Sequence, residues 1–469
     1  MDYEKLGFKA GLEIHQQLEG EKLFCSCPTN IRKDKPDFKI KRVLRASAGE
    51  SGSVDKAAMH ELQKSKEFEY LGYHDTNCLV ETDDAPPHKL NLDALNKTLI
   101  LAKLMNMKIV DEIQFMRKTV IDGSNTSGFQ RTALIGIDGF IEVNGKKFGI
   151  ESICLEEEAS QVIKRDKTKD IYNLSRLGIP LIEIATAPDM KTPDECKEVA
   201  AHIGMLLRSV DGMKRGIGSI RQDVNVSIKK GARIEVKGFQ DYKNIPKVVE
   251  FEVKRQADLI QKGQKVSSEV RKAEPDFTTS FLRPMPGADR MYPETDIETI
   301  KPDLNIKLPL TLEEKILLYQ DKYSLSEDLA TQVVKYESKN DSLEKYFELA
   351  NKDLTPTTIA DIILMKIPDI EKKEGELKHL DLNELFENLR TAKITISAVP
   401  EILSLSTKKK VDYNAFKSLD ETEIKKIVLD IINKNKGAPM GALMGKAMGA
   451  LKGKADGSLV SKIVRESLK

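Results

Sequence analysis

Gly218-Ser-Ile-Arg221-Gln-Asp223-Val-Asn225-Val-Ser227 carries a polar side chain at every second position from Arg221 onward. Successive side chains of a β-strand point to opposite faces, so Arg, Asp, Asn and Ser would form one polar row. The stretch therefore predicts a strand with one polar face. That face is compatible with plain solvent exposure and, equally, with a functional site.

Similar strand-like runs occur on both sides of this stretch. They are rich in Val, Ile and Phe and are separated by Gly, Asn and Asp turns, as in GFIEVNGKKFGI (139–150), PLIEIAT (180–186) and RIEVKGF (233–239). Helical periodicity is occasional, as from Leu92 to Met105. We expect residues 1–308 to form one large α+β domain.

Beyond Leu310 the pattern becomes helical. Thr311-Leu-Glu-Glu314 is a capping-box sequence, Thr355-Pro356 places proline at a first helical position, and Asp420-Glu-Thr-Glu423 opens a helix that Gly437 can close. These signals predict a helical domain over 309–398 and a small helical tail domain over 399–469.

The amino-acid composition limits the classes of protein to which this chain can belong. Of 469 residues, 40% are hydrophobic and 32% charged, as in a soluble multidomain protein. We find no apolar run of about 20 residues and no signal peptide at the start, so we expect a cytoplasmic protein without a membrane span. Five cysteines favour reduced thiols or one metal site over a disulfide framework. Cys25 and Cys27, with Cys78, are compatible with zinc ligands and also with ordinary reduced thiols.

The C-terminal end is basic. Residues 431–469 contain eight Lys or Arg and two acidic residues, which favours a polyanionic partner at that end. A glycine recurs every four positions at Gly441, Gly445, Gly449 and Gly453. We favour a helix that packs closely on a neighbour there, with direct contact of the tail lysines with a phosphate backbone as the alternative.

Acidic residues fall at positions that suit cation binding. Glu13 and His15 lie two apart and would share one strand face. Glu156, Glu157 and Glu158 form an acidic run that is compatible with a solvated turn, and Glu183 is a single acid in an apolar run. A charge in such a run needs a partner or a wet cleft, so Glu183 is the most informative of these acids.

Several common motifs are absent from the sequence. It contains no GxxxxGK[ST], no GxGxxG on a strand, no GxSxG and no HIGH or KMSKS signature. A nucleotide would therefore need another kind of site, activation of a free amino acid is not indicated, and ammonia released from an amide would come from another subunit.

Taken together, these segments resemble the B and E subunits of glutamyl-tRNA amidotransferases. The segments that carry the resemblance are Gly11–His15, Phe24–Pro28, Leu155–Ala159, Pro180–Ile184, Gly218–Asn225 and the basic Gly-rich tail. Features of the archaeal E type are Arg45–Glu50, Ser124–Arg131, Lys237–Gln240, Pro284–Ala288 and Tyr292–Asp296.

The resemblance implies a cradle-like α+β domain followed by a helical domain and a tRNA-binding tail. It implies an ATP-dependent carbon–nitrogen ligase that phosphorylates the side-chain carboxylate of Glu-tRNA(Gln) and amidates it with ammonia, with glutamine as the amide donor. The partner would be an asparaginase-like amidase of the D type, in a heterodimer or a dimer of heterodimers. Asparagine as donor stays open.

The resemblance also implies roles for individual residues. Those expected to hold Mg²⁺ are Glu13, His15, Glu157 and Glu183, with Glu156 in place of Glu157 if the acidic run is shifted by one. Glu157, Glu183 and Arg221 are expected to be catalytic. Contacts to ATP or the acceptor end are expected from Arg131, Arg221, Asp223 and Asn225, and contacts to tRNA from Lys446, Lys452 and Lys454.

The sequence departs from the E type in one respect. Proteins of that type carry an inserted domain similar to part of a bacterial aspartyl-tRNA synthetase, and the stretch from Lys272 to Arg290 leaves no room for one. Two alternatives follow: a non-catalytic tRNA-binding module, and a bacterial B-type protein acting on Asp-tRNA(Asn) and Glu-tRNA(Gln).

Overall fold

A computed structural model describes residues 1–44, 66–239, 241–285, 291–337, 340–435, 437–451 and 453–468. The chain divides into two compact units, residues 1–311 and 312–469. The first unit is rich in strands and the second is helical, which confirms the predicted α+β class. The predicted division of the helical part at residue 398 stays a prediction.

The described residues of the first unit form two β-sheets. Its strands are β1 (Lys9–Gln17), β2 (Phe38–Arg42), β3 (Glu67–Gly72), β4 (Lys108–Ile109), β5 (Phe115–Thr119), β6 (Phe129–Val143), β7 (Lys146–Glu157), β8 (Gln161–Arg165), β9 (Lys169–Asn173), β10 (Pro180–Thr186), β11 (Ile220–Ser227), β12 (Ile234–Phe239), β13 (Glu269–Ala273), β14 (Thr279–Pro284) and β15 (Met291–Pro293).

The larger sheet has the order β14-β13-β12-β11-β1-β10-β7-β6-β5-β15, and β4 pairs with β6. Adjacent strands of this sheet are antiparallel, except that β12 and β13 are parallel. The smaller sheet has the order β2-β3-β9-β8. The strand β1 thus lies between β10 and β11, so the strand of Glu13 and His15 has the strands of Glu183 and Arg221 as its neighbours.

One face of the larger sheet is apolar and packs on three helices, α1 (Leu92–Leu104), α2 (Pro193–Arg208) and α3 (Ile245–Gln261). Leu12, Ile14 and Val224 belong to this core and are at most 1% exposed. Asn91 and Thr192 cap the first two helices with their side chains, and Pro193 opens α2. Burial of this face leaves the opposite face of the central strands for polar residues.

The second unit is built from helices. They are α4 (Leu312–Tyr323), α5 (Glu327–Glu337), α6 (Glu344–Phe347), α7 (Pro356–Asp361), α8 (Ile367–Glu374), α9 (Leu382–Arg390), α10 (Val399–Ser406), α11 (Glu421–Lys434), α12 (Met440–Leu451) and α13 (Gly457–Ser467). Thr355 caps α7, and Asp420 with Glu423 forms the predicted capping box of α11. The described residues of this unit form two apolar clusters, one within residues 319–416 and one within 424–464.

Over the described ranges, the helices are too short or too polar for any of them to cross a lipid bilayer.

Candidate active site

The polar face of the larger sheet is centred on β1. Glu13 and His15 project from it, while Leu12 and Ile14 point into the core. His15 lies opposite Glu183 of β10 on one side and opposite Arg221 of β11 on the other. Antiparallel pairing thus assembles one continuous polar surface from the predicted motifs.

His15, Glu156 and Glu183 form a group that suits a metal ion. Their ligand atoms lie within 4.8 Å of one another. His15 Nε2 and Glu183 Oε2 are 3.1 Å apart, and His15 Nδ1 is buried without a hydrogen-bond partner in the described part of the chain. The Glu156 residue is 2% exposed, whereas the Glu183 side chain is 24% exposed. One imidazole and two carboxylates that converge on a wet face fit a divalent cation.

Lys118 of β5 lies against this group. Its ammonium donates to Glu156 Oε1 at 2.6 Å and is 3.9 Å from Glu183 Oε2. Burial and the adjacent Glu183 raise the pKa of Glu156. Burial opposes ionisation of Glu183 too, but Lys118 and His15 outweigh it and hold the pKa of Glu183 well below its usual range. The cluster therefore holds negative charge that a cation stabilises.

A second acidic group lies on the other side of β1. Glu13, Asp223 and Glu235 converge there, and the Lys237 ammonium contacts both Asp223, at 2.7 Å, and Glu235. Asn225 donates to Glu13 at 3.2 Å. Burial raises the pKa of Glu13 even though Lys237 acts against it. Glu13 thus belongs to a separate acidic group, which lies beside the group of His15, Glu156 and Glu183.

Arg221 is oriented by a buried acid. Its Nη2 lies 3.0 Å from Glu158 Oε2, and Gln17 donates to the same carboxylate at 2.8 Å. Burial alone would raise the pKa of Glu158, but the charges of Arg221 and Arg176 lower it. About one third of the Arg221 side chain is exposed, at 35%. The guanidinium is therefore positioned by Glu158 and accessible from the polar face.

The structure places Glu157, which was expected to hold Mg²⁺, apart from the group of His15, Glu156 and Glu183. Residues 154 and 156 of β7 share a face with Glu183, because Cys154 lies opposite Glu183 and Glu156 opposite Leu181. Glu157 points to the other face, where it binds Arg131 at 3.3 Å. The alternation in Ile153-Cys-Leu-Glu156, with Ile and Leu in the core, was the sequence signal for Glu156.

Arg131 is likewise absent from the polar face. Its Nε donates to Glu294 at 2.7 Å, and its guanidinium stacks near the rings of Phe24 and Phe129. The residue is 7% exposed. This geometry describes a buried ion network, so the expected contact of Arg131 with ATP or the glutamyl group is not supported.

Cys25, Cys27 and Cys78 do converge, and Glu81 joins them. All four ligand atoms lie within 4.8 Å, and Cys25 Sγ donates to Glu81 Oε1 at 2.9 Å. Hydrogen bonds from the other two thiols lower the pKa of Cys78. Three sulfurs and one carboxylate are a donor set that suits tetrahedral Zn²⁺. Sequence reasoning missed Glu81, three residues after Cys78.

The lysines of the tail lie on or after α12. Lys446 is exposed and contacts Asn435, Lys454 is partly exposed, and Lys452 lies outside the described residues. The interpretation of the glycine row as a close packing face is wrong for three of its members. A Cβ at Gly441, Gly445 or Gly449 would meet no described atom within 4 Å, and of the four only Gly453 lies close to another helix, at Ala398.

Comparison with known proteins connects this face to a family. A sequence profile described as the GatB/GatE catalytic domain matches residues 8–306, well over half of the chain. The chain belongs to the GatB/GatE family. A second profile, described as a GatB domain, matches residues 341–468 in the helical unit of this GatB/GatE protein. The two matches together span both units.

Archaeal members of the family are similar over most or all of the chain. A Methanococcus maripaludis protein, named as the E subunit of glutamyl-tRNA(Gln) amidotransferase, is 36% identical over 628 positions, which cover 100% of this chain and 99% of the relative. The Methanocaldococcus jannaschii protein of the same name is 36% identical with the same coverage, and that of Archaeoglobus fulgidus is 35% identical over 81% of this chain and 82% of its own. These matches confirm the resemblance to the E type.

The lengths of these relatives differ from that of the present chain. The alignment to the M. maripaludis protein runs over 628 positions, whereas this GatB/GatE chain has 469 residues. The relative therefore contains sequence without a counterpart here, as the predicted lack of an inserted domain requires.

Proposed function

We propose that this chain is the component of glutamyl-tRNA(Gln) amidotransferase that activates and amidates the glutamate on Glu-tRNA(Gln). The observation that carries the proposal is the polar face built from β7, β10, β1 and β11 in a chain similar to the archaeal E type over its full length. A non-catalytic tRNA-binding module has no use for three converging metal-type ligands, and the B-type alternative is not favoured by the relatives.

The reaction has two steps. A side-chain carboxylate oxygen of the tRNA-bound glutamate attacks the γ-phosphorus of ATP, an O–P bond forms, and ADP leaves. The nitrogen of ammonia then attacks the carbonyl carbon of the acyl phosphate, inorganic phosphate leaves with its electron pair, and the amide of Gln-tRNA(Gln) remains after loss of a proton. The first step brings two anions together, so the site must supply positive charge.

His15, Glu156 and Glu183 would hold Mg²⁺. When bound, the ion neutralises charge on the phosphates of ATP during transfer. Arg221, fixed by Glu158, presents a guanidinium from the same face for a phosphate or the glutamyl carboxylate. Beside Arg221, Asp223 positions Lys237 and Asn225 positions Glu13. We assign these roles because all of these side chains lie on the same face of the larger sheet.

Ammonia would come from a separate asparaginase-like amidase with glutamine as the donor. The exposed Lys446 and the partly exposed Lys454 would contact the tRNA backbone, which gives salt-sensitive binding with little sequence readout. The group of Cys25, Cys27, Cys78 and Glu81 would hold a structural Zn²⁺. Neither the tail lysines nor the cysteine group would take part in the chemical steps, which would occur at the polar face.

An ammonium-dependent assay tests the proposal. The full chain is incubated with Glu-tRNA(Gln), ATP, Mg²⁺ and ammonium chloride, and both Gln-tRNA(Gln) and ADP are measured. We expect one ADP for each amide formed and no product without ATP or Mg²⁺. If tRNA binds but neither product forms, even with an amidase partner present, the catalytic assignment is overturned.

A further inference from the structure

A lysine ammonium is enclosed beside the cysteine group. The side chain of Lys22 is 0% exposed, and its Nζ atom has no hydrogen-bond partner in the described part of the chain. It forms an ion pair with Glu81, whose Oε1 atom lies 3.4 Å away. A lysine ammonium has three N–H donors, and a charge that is buried without hydrogen bonds is costly. The roles assigned above leave Lys22 unexplained.

The ion pair of Lys22 with Glu81 is loose for one so deeply buried. Hydrogen bonds of the N–H···O type usually span about 2.7–3.2 Å, so a separation of 3.4 Å lies beyond them. The ammonium of Lys118, by contrast, lies 2.6 Å from Glu156 although its side chain is 10% exposed. Glu81 therefore satisfies the charge of Lys22 only in part.

The carboxylate of Glu81 is already engaged by the cysteine group. Its Oε1 atom accepts a hydrogen bond from Cys25 Sγ at 2.9 Å, and its Oε2 atom accepts one from the backbone N–H of Cys78 at 2.7 Å. Lys22 approaches the same oxygen, Oε1, as the Cys25 thiol does. The ammonium is thus a direct neighbour of the four side chains proposed to hold zinc.

The backbone fixes Lys22 in this position. Its N–H donates to the carbonyl of Cys27 at 2.9 Å, so Cys25 and Cys27 lie in the short loop that this bond closes. Gly178 covers the ion pair from the other side, because a Cβ atom there would lie 3.4 Å from Glu81 Oε1 and 3.5 Å from Lys22 Cδ. The ammonium is therefore held against the cysteine group and away from water.

Zinc binding would change the charge next to this ammonium. Cysteine binds metal ions as the thiolate, so three thiolates and one carboxylate leave a Zn²⁺ centre with two excess negative charges. Excess charge in a buried site is costly unless a group of opposite sign lies close to it. An ammonium that is fixed beside a ligand oxygen and only partly satisfied by it suits this role.

We propose that Lys22 provides the counter-charge of the zinc centre formed by Cys25, Cys27, Cys78 and Glu81. Its ammonium offsets one of the two excess negative charges and thereby raises the affinity of the site for Zn²⁺. The inference rests on the structural Zn²⁺ of the proposed function and adds a residue outside the ligand set. In the competing account, Lys22 compensates Glu81 alone and supports folding without any effect on metal affinity.

Lys22→Met tests the counter-charge directly. The zinc-loaded full chain is competed with a chromophoric chelator, and the absorption spectrum of the Co²⁺ form reports whether the thiolates still bind the ion. We expect the affinity for Zn²⁺ to fall about 10- to 100-fold, the usual effect of losing a group that contacts metal ligands, with an unchanged Co²⁺ spectrum. Lys66→Met removes another partly buried ion pair, to Asp170, and should bind Zn²⁺ as the wild type does. Equal affinities of Lys22→Met and wild type overturn the inference.

A second comparison decides the question if Lys22→Met does not fold. Glu81→Gln is compared with a double variant that combines Glu81→Gln and Lys22→Met, which lacks both charges of the pair. Three thiolates still leave one excess negative charge on the Zn²⁺ centre, so loss of the ammonium should lower the affinity for Zn²⁺ about tenfold in this background as well. If Lys22 compensates Glu81 alone, the double variant should bind Zn²⁺ at least as tightly as Glu81→Gln, because an unpaired buried cation has been removed. That result overturns the inference.

Zinc affinity separates this inference from the proposed function. A wild-type chain that binds no Zn²⁺ overturns both the zinc assignment and the role of Lys22. A wild-type chain that binds Zn²⁺ with an affinity independent of Lys22 overturns the inference and leaves the zinc assignment intact. Neither measurement depends on amidation, so the catalytic assignment is tested separately by the ammonium-dependent assay.

Discussion

Lys118 donates a 2.6 Å hydrogen bond to Glu156, so a lysine ammonium lies where the carboxylates of the polar face converge. The same ammonium is 3.9 Å from the second carboxylate, that of Glu183. A bound divalent cation would compete with it for both carboxylates. At the proposed Mg²⁺ site, the charge of Lys118 should therefore weaken binding of the ion.

Replacing Lys118 with methionine tests this competition. We expect Lys118→Met to bind Mg²⁺ about tenfold more tightly, and its melting temperature to rise more on addition of Mg²⁺ than that of the wild type, because ligand binding to the native state stabilises it. Titration calorimetry and thermal unfolding by circular dichroism measure the two effects. Equal Mg²⁺ affinities in the two proteins would show that the ammonium does not compete.

The two adjacent glutamates of β7 should have different roles. Glu156→Gln removes a proposed ligand, so the Mg²⁺ concentration needed for half-maximal amidation should rise at least about tenfold. Glu157→Gln should leave that requirement unchanged and destabilise the fold by up to about 3 kcal/mol, since it weakens a buried ion pair to Arg131. Magnesium titrations of activity and denaturant unfolding measure both. The reverse pattern would restore Glu157 to the metal set.

The ion network on the other face predicts a dependence of stability on pH. Burial opposes the charge of Glu294, but hydrogen bonds from Arg117 and Arg131 lower its pKa below the ordinary 4.5. A lowered pKa in the folded state gives stability that is present above pH 4.5 and is lost as pH falls through the folded value. Glu294→Gln should therefore lower the unfolding free energy clearly at pH 7 and by a smaller amount at pH 3.5. An equal loss at both values, measured by urea unfolding, would contradict this account.

The cysteine group predicts one zinc ion per chain. Native mass spectrometry of the purified chain should show one Zn²⁺, and Cys27→Ser should abolish it and lower the melting temperature. Glu81→Cys keeps four ligands and should retain the ion, which makes it the matched control. Zinc-free protein whose melting temperature is insensitive to chelator and to Cys27→Ser would leave these thiols as ordinary reduced cysteines.

The tail lysines predict a salt-dependent contact with tRNA. Replacing Lys446 and Lys454 together with alanine should weaken tRNA binding and reduce the slope of log affinity against log salt by about one unit per lysine removed. Filter binding between 50 and 200 mM salt measures the slope. A slope equal to that of the wild type would place the tRNA contact elsewhere.

Many helices and strands of both units follow from local sequence pattern. The strands around Glu183 and Asp223, the strand of Glu13 and His15, and the caps at Thr355 and Asp420 all form as predicted, because alternation and capping act within a few residues. Pairing partners depend on contacts between residues more than 150 positions apart, as between His15 and Glu183. The residue types in the motifs favoured a functional site. Which strands contribute to that site came from the family resemblance.

The differences between the expected and the observed positions of these residues have physical causes. In an acidic run at the end of a strand, a shift of one residue moves a carboxylate to the other face, and this separates Glu156 from Glu157. Lys118 and Lys237 were missed because single lysines in strands usually face solvent, and only the tertiary structure brings them to buried carboxylates. The glycine spacing of α12 predicts a packing face, but spacing alone does not show which face of a helix meets its neighbours. Leu443, Ala447 and Leu451 form the buried face of α12, and its glycines are exposed.

An isotope experiment tests the central claim most directly. Glu-tRNA(Gln) whose glutamate carries ¹⁸O in both side-chain oxygens is converted by the full chain with ATP, Mg²⁺ and ammonium chloride, and the released inorganic phosphate is analysed by mass spectrometry. Activation of the carboxylate by phosphorylation predicts one ¹⁸O atom in the phosphate for each Gln-tRNA(Gln) formed. Formation of Gln-tRNA(Gln) with unlabelled phosphate would contradict the account.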